Sequence, residues 1–189
     1  MEKTAVQKLA GALKVLVTIT LVCNLVALLL VPGMSLMKGP EELLALTPYE
    51  NPLEVRLRVG IAFVLSWGWV WTAGVYEVVL ALFLLFCGIC TAVILWQGRR
   101  VLGTILTGAP FRAENGVSLR RAAVCCFLIA AAALARVVWG LFYYGSVAPL
   151  LTYNALFVPI FILGGLLCLV MSALFRQAAE LKAENDLTI

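Results

Sequence analysis

The sequence predicts an all-α integral membrane protein: a four-helix bundle with both termini in the cytoplasm and an interfacial helix before the second span. Three observations carry that reading. The chain is 63% hydrophobic and 13% charged, with a mean hydropathy of +1.05, far from the roughly half apolar and one-quarter charged make-up of a soluble domain. Its apolar residues gather into four runs, 13–31, 74–96, 122–143 and 155–175, each near the ~20 residues a helix needs to cross ~30 Å of hydrocarbon. The charges gather between the runs and are shared unequally. Lys3, Lys8, Lys14, Arg99, Arg100, Arg112, Arg120, Arg121, Arg176 and Lys182 fall on one side of such a layout, and only Lys38, Arg56 and Arg58 on the other. Lys and Arg near span ends stay cytoplasmic, so both termini and the middle connection are placed inside. No polar block outside the spans reaches the ~50 residues of a small domain. Residues 1–189 therefore read as a single transmembrane domain.

The first run follows a basic start, as in a signal peptide. It exceeds the usual ~7–15 apolar residues and ends in Val-Pro-Gly-Met-Ser without a small-x-small cleavage site, so it is expected to be a retained span. Pro32-Gly33, Gly39-Pro40 and Pro48 to Pro52 then signal turns, and Glu41, Glu42, Glu50 and Glu54 make an acidic outer loop. From Val59 to Trp96 the chain carries one charge in 38 residues, Glu77. Two spans there would need ~40 residues plus a turn and would carry the five-arginine connection outside. Val55 to Trp71 is instead expected to lie in, or dip into, the outer interface. Trp67, Trp69 and Trp71 fit an aromatic belt at headgroup level better than a ligand-stacking cage.

In the second connection, Val101, Leu102, Ile105 and Leu106 recur at helical spacing behind Arg99 and Arg100, which predicts a short amphipathic helix against the inner leaflet. Gly108-Ala109-Pro110-Phe111 breaks it, and Arg112 to Leu119 opens the next helix below the membrane, with Glu114 in the first turn where the helix dipole favours an acid. The last span continues into Arg176 to Ile189, with Asn185-Asp186 as its expected stop.

The chain has no His, so the commonest general base and metal ligand is missing and a Ser-His or Cys-His nucleophile is excluded. No Walker A loop, dinucleotide fingerprint or HExxH helix is present. No catalytic, cofactor-binding or metal-ligating set is therefore expected. Short juxtamembrane basic loops are the rule, so the arginines point to topology and anionic headgroups and not to direct nucleic-acid binding. Cys87-Gly88-Ile89-Cys90 has the C-x-x-C form of membrane thiol oxidoreductases that pass electrons to quinone. Reactive cysteines need polar, partly exposed surroundings, whereas these fall near mid-membrane, with Cys125-Cys126 at the inner end of span three; with Cys23 and Cys168 they read as small packing residues. Gly164, Cys168 and Ser172 form a small-residue stripe on span four, and Gly88 with Ala92 a shorter one on span two. Such stripes let helices approach closely, within one chain or in a homo-oligomer. Asn24, Glu77 and Arg136 are the strongly polar residues inside spans. Asn24 is expected to make an interhelical hydrogen bond. Glu77 and Arg136 are expected at similar depths and to pair, since intramembrane charges commonly do.

Two cytosolic motifs carry a resemblance. Gly108-Ala109-Pro110-Phe111-Arg112-Ala113-Glu114-Asn115 with Leu119-Arg120, and the closing Leu181-Lys182-Ala183-Glu184-Asn185-Asp186-Leu187-Thr188-Ile189, resemble the signature segments of a bacterial membrane family catalogued as "domain of unknown function 2975". The resemblance extends to the four-span layout. Arg112 stands where members often have a hydroxyl residue, so no side-chain cap is expected there. The family has no established activity, but its members are commonly encoded beside a small Cro-like helix-turn-helix regulator. The resemblance thus implies a multi-pass protein of the bacterial cytoplasmic membrane, non-enzymatic and regulatory or protective, whose inner face binds such a regulator. Pro110, Phe111, Glu114, Asn115, Glu184, Asn185, Asp186 and Leu187 are the candidate contacts. A small-molecule transporter or channel subunit is the rival reading, and a thiol-quinone oxidoreductase the third. Cysteines introduced singly near positions 110 and 185 of a cysteine-free chain should resist an impermeant thiol reagent in intact cells, while those near 45 and 148 should react. Rapid labelling at 110 would overturn the four-span layout.

Overall fold

The structure, a computed structural model, describes residues 5–36, 60–61, 64–109 and 111–187. Four long helices dominate: α1 (Ala5–Leu36), α2 (Val75–Leu106), α3 (Ala113–Tyr144) and α4 (Tyr153–Leu187), with single 3-10 turns at Val70–Thr72 and Ala148–Leu151. All four are long and apolar enough to cross a membrane, over Ala5–Gly33, Val75–Leu106, Ala113–Tyr144 and Tyr153–Asn185. The fold is all-α and of the four-span membrane class. Side chains such as Leu16 and Leu167 stand 60% and 67% exposed along these helices. Large apolar groups so placed are stable when the solvent is hydrocarbon.

Each helix overruns its apolar run at the basic end. A helix of 32 residues, the length of α2 and α3, is ~48 Å long at ~1.5 Å per residue, against a hydrocarbon layer of ~30 Å. The separate inner-leaflet helix expected over Val101 to Leu106 is therefore corrected: these residues are the last turns of α2, and Val101 is buried. Nothing between Gln97 and Arg100 stops the helix, because one interior glycine costs only ~1 kcal/mol. The stop comes at Gly108, whose φ of 75° lies in the left-handed region. Gly108 N–H donates to Ile105 O at 3.1 Å and Ala109 N–H to Thr104 O at 3.1 Å, the paired bonds of a Schellman ending.

Two other expected boundaries move. α1 runs through Pro32 to Leu36, although Pro32 removes the N–H that would serve the Leu28 carbonyl. Pro32 is fully buried, and Trp67 Nε1 donates to Leu29 O at 3.1 Å beside the interrupted ladder. The indole thus adds a bond at the carbonyl next to the one that proline leaves without its helical donor. α4 likewise continues through Asn185-Asp186 to Leu187. As expected, Arg112 precedes α3 in extended conformation with no side-chain cap.

The chain forms two compact units, residues 25–88 and residues 1–24 with 89–189. In the first, Val31, Val70 and Ala81 form a buried cluster with Leu84 and Leu85 against it. Gly88 lies so near Leu28 that a Cβ there would come within 2.5 Å of its Cδ2. Residues 60–61 and 64–69 are helical, whereas 55–59 and 62–63 of the expected interfacial helix lie outside the described residues.

In the second unit α3 packs along α4. Its buried positions are mostly small residues, among them Gly116, Ser118, Ala122, Ala123, Cys126, Ala130, Ala133 and Gly140. The sequence pattern marks stripes on spans two and four but not this one. On α4 the stripe packs within the chain at Ser172, which meets α3, but Gly165 and not Gly164 takes the tightest place, where a Cβ would stand 2.9 Å from the Phe127 ring. At the far end Gly145, φ 59°, ends α3 with its N–H donating to Leu141 O at 3.0 Å. Pro149 then lies against Gly140. Gly165→Val should destabilise the folded protein in detergent by about 1–3 kcal/mol, the usual cost of overpacking. Gly164→Val, which meets nothing within 4 Å, should lie within about 0.5 kcal/mol of the parent. Thermal unfolding of the pair decides the register.

Candidate functional site at the basic end

The candidate contact residues divide by environment. Phe111 follows the Schellman turn, is 52% exposed, and places its ring 6.3 Å from that of Phe175 on α4. Glu114, in the first turn of α3, receives Arg100 Nη2 at 3.4 Å, both side chains being mostly exposed. Water screens such a pair, so its worth is small. Asn115 is different: it is 1% exposed, and its Nδ2 donates to Thr104 Oγ1 at 2.7 Å. Thr104 in turn donates to Val101 O at 2.7 Å. Asn115 therefore ties the start of α3 to the end of α2 and would shape a partner surface without touching a partner. Glu184 and Asn185 are exposed near the end of α4. Asp186 and Leu187 belong to its last turn, with side chains outside the described set, and Pro110 lies outside the described residues.

Ser172, from the small-residue stripe of span four, and Gly116, which no motif singles out, hold this end together. Ser172 Oγ donates to Gly116 O at 2.7 Å in a buried position. A Cβ on Gly116 would stand 2.8 Å from Arg176 Cγ and 3.1 Å from Ser172 O, so only glycine lets the two backbones approach this closely. Arg176 carries its charge out to Glu180, one turn on, at 3.9 Å. The signal available in the sequence was the small-residue periodicity of α3 from Asn115 onward.

The intramembrane polar residues have local accounts. Arg136 Nη1 donates to Asn154 Oδ1 at 3.3 Å across the α3–α4 connection; nothing in the sequence marked Asn154 beyond its being an amide in an uncharged loop. Glu77 is the third residue of α2, and its Oε2 would lie 2.5 Å from a Cβ on Gly74. The carboxylate thus folds back over its own helix start, where the dipole favours it. Asn24 is half-buried on α1. Gln97 is a further polar residue of this kind: it is 8% exposed, and its Oε1 has no hydrogen-bond partner among the described residues.

All six cysteines are free thiols. The Cys90 thiol lies beside that of Cys125, between α2 and α3, and the Cys126 thiol beside that of Cys168, between α3 and α4. Adjacent residues of a helix point ~100° apart, so Cys125-Cys126 serves two neighbours at once. Among the described residues no group of three or more His, Cys, Asp or Glu could hold a metal ion.

A family model described as "Protein of unknown function (DUF2975)" matches residues 68–189. The chain belongs to this family. The match takes in α2, α3 and α4 and both basic-end motifs, while α1 lies outside it. No curated protein and no solved structure matches the chain. Family membership adds no chemistry, but the thiol geometry makes its own prediction. With the other four cysteines replaced by Ala, a membrane-permeant oxidant should join Cys90 to Cys125, holding together the fragments made by cutting an engineered protease site near 109–112. A chain retaining only Cys87 and Cys90 should fall apart on the same treatment.

Proposed function

We propose that this multi-pass membrane protein is non-enzymatic and regulatory or protective, and that its basic end docks a small soluble helix-turn-helix regulator. The observation that supports this best is the stem of α4. The helix runs 35 residues, about 52 Å at ~1.5 Å per residue, and so extends well past a hydrocarbon layer of ~30 Å. Leu181 on that stem is 66% exposed, and Phe111 at its root is 52% exposed. Set among the polar Glu180, Lys182, Glu184 and Glu114, the two would give a docking protein apolar anchors with a polar rim. Both groups fall in the two segments that carry the family resemblance, whose members are commonly encoded beside such a regulator. The rival transporter reading rests on polar groups inside the spans, and the local partners of Glu77 and Arg136 leave it with less support.

The test is co-purification of the tagged full-length protein with a small helix-turn-helix protein encoded beside it. Phe111→Asp with Leu181→Asp should reduce the retained regulator about tenfold or more, the effect of losing ~1.4 kcal/mol or more at an apolar anchor. Deletion of 185–189 should weaken retention while leaving membrane insertion intact. Full retention by both variants would show that the stem is a structural helix end only.

A further inference from the structure

Within the unit formed by residues 1–24 and 89–189, a cavity of about 390 Å³ opens between the start of α1 and the end of α2. Its described lining is Lys14, Trp96, Arg99, Arg100 and Gly103. Three cations and an indole therefore share one pocket, with no acid in its described wall. Arg99 sits over the Trp96 ring, 5.7 Å from the centroid. Lys14 Nζ would stand 3.6 Å from a Cβ on Gly103, which places the ammonium against α2 at the pocket wall. Glu114, reaching Arg100 from outside, offsets part of this charge. Like charges gathered this closely repel one another unless an anion joins them.

Depth and size narrow the anion. From Val75, where α2 begins, to Trp96 is ~32 Å at ~1.5 Å per residue, one hydrocarbon thickness. Arg99, Arg100 and Gly103 follow within the next two turns, at the level where headgroups lie. The volume equals roughly a dozen waters at ~30 Å³ each, ample for a phosphate ester with a polar substituent. Basic pockets at the cytoplasmic ends of spans take anionic headgroups.

We propose that this pocket binds the headgroup of an anionic phospholipid drawn from the adjacent leaflet. Lys14 meets the phosphate as a point charge and Arg99 as a planar fork, Arg100 guards the rim, and Trp96 lies at the boundary with the acyl chains. A bound headgroup ties the start of α1 to the end of α2. Because Arg100 also reaches Glu114, occupancy is felt at the first turn of α3.

The experiment places the full-length protein in nanodiscs of phosphatidylcholine alone or with added phosphatidylglycerol, and reads lipid adducts by native mass spectrometry alongside the thermal unfolding midpoint. Phosphatidylglycerol should be retained and should raise the midpoint. Lys14→Gln with Arg99→Gln should lower retention about 25-fold, from roughly fivefold per cation, and remove the thermal shift. Arg120→Gln with Arg121→Gln, which removes the same charge from exposed positions outside the pocket, should stay within about twofold of the parent. Arg99→Lys keeps the charge but loses the fork, and should give an intermediate loss even where the double variant fails to insert. Equal loss in the Arg120 and Arg121 variant would reduce the effect to diffuse surface charge and overturn the site. Stabilisation by inorganic phosphate in phosphatidylcholine discs would make it a soluble-anion site instead. Unchanged adducts, with regulator retention lost in the Lys14 and Arg99 variant, would reassign the pocket to a protein partner.

Discussion

The close approach of α3 and α4 at Gly116 and Ser172 is the contact on which the basic end of the molecule depends. Between helices in lipid there is little hydrophobic drive, so association rests on tight van der Waals contact and on polar groups served across the interface. Gly116 provides the first by having no side chain, and its carbonyl provides the second by accepting from Ser172. Because α3 is anchored here, Asn115 can reach Thr104, and the end of α2 is held beside the start of α3. Phe111 is then presented next to Phe175.

The same economy governs polar groups inside the spans. Free thiols lie beside one another across α2, α3 and α4. Arg136 finds an amide, Glu77 finds the start of its own helix, and Trp67 serves a carbonyl near Pro32. Water cannot serve any group in hydrocarbon, so each is met by the nearest protein group. Cys87-Gly88-Ile89-Cys90, which read alone suggests a redox couple, belongs to this pattern: Cys90 turns to Cys125 on another helix, and Gly88 makes room for Leu28. At the basic end the logic reverses, since Lys14, Arg99 and Arg100 gather beyond what Glu114 can offset, and the charge left over is where a ligand becomes useful.

What the sequence by itself determined was the number of spans, the helical class, the break at Gly108 and the family, because hydropathy, turn residues and short motifs are local properties. Helix length was only partly legible. Gln97 to Leu106 has amphipathic spacing whether it lies on a leaflet or continues α2, and Pro32 stops a helix unless other groups support it, as Trp67 does from 38 residues away. Asn115 read as a surface contact because an isolated amide gives no sign of its burial. Tertiary structure alone decided that Gly165 and not Gly164 faces Phe127, that Cys125 and Cys126 serve different helices, and that Lys14 meets Arg99 and Arg100 around one cavity. A few tens of degrees of helix rotation settle each of these, and rotation is set by the shape of the neighbouring helix, which no local pattern encodes.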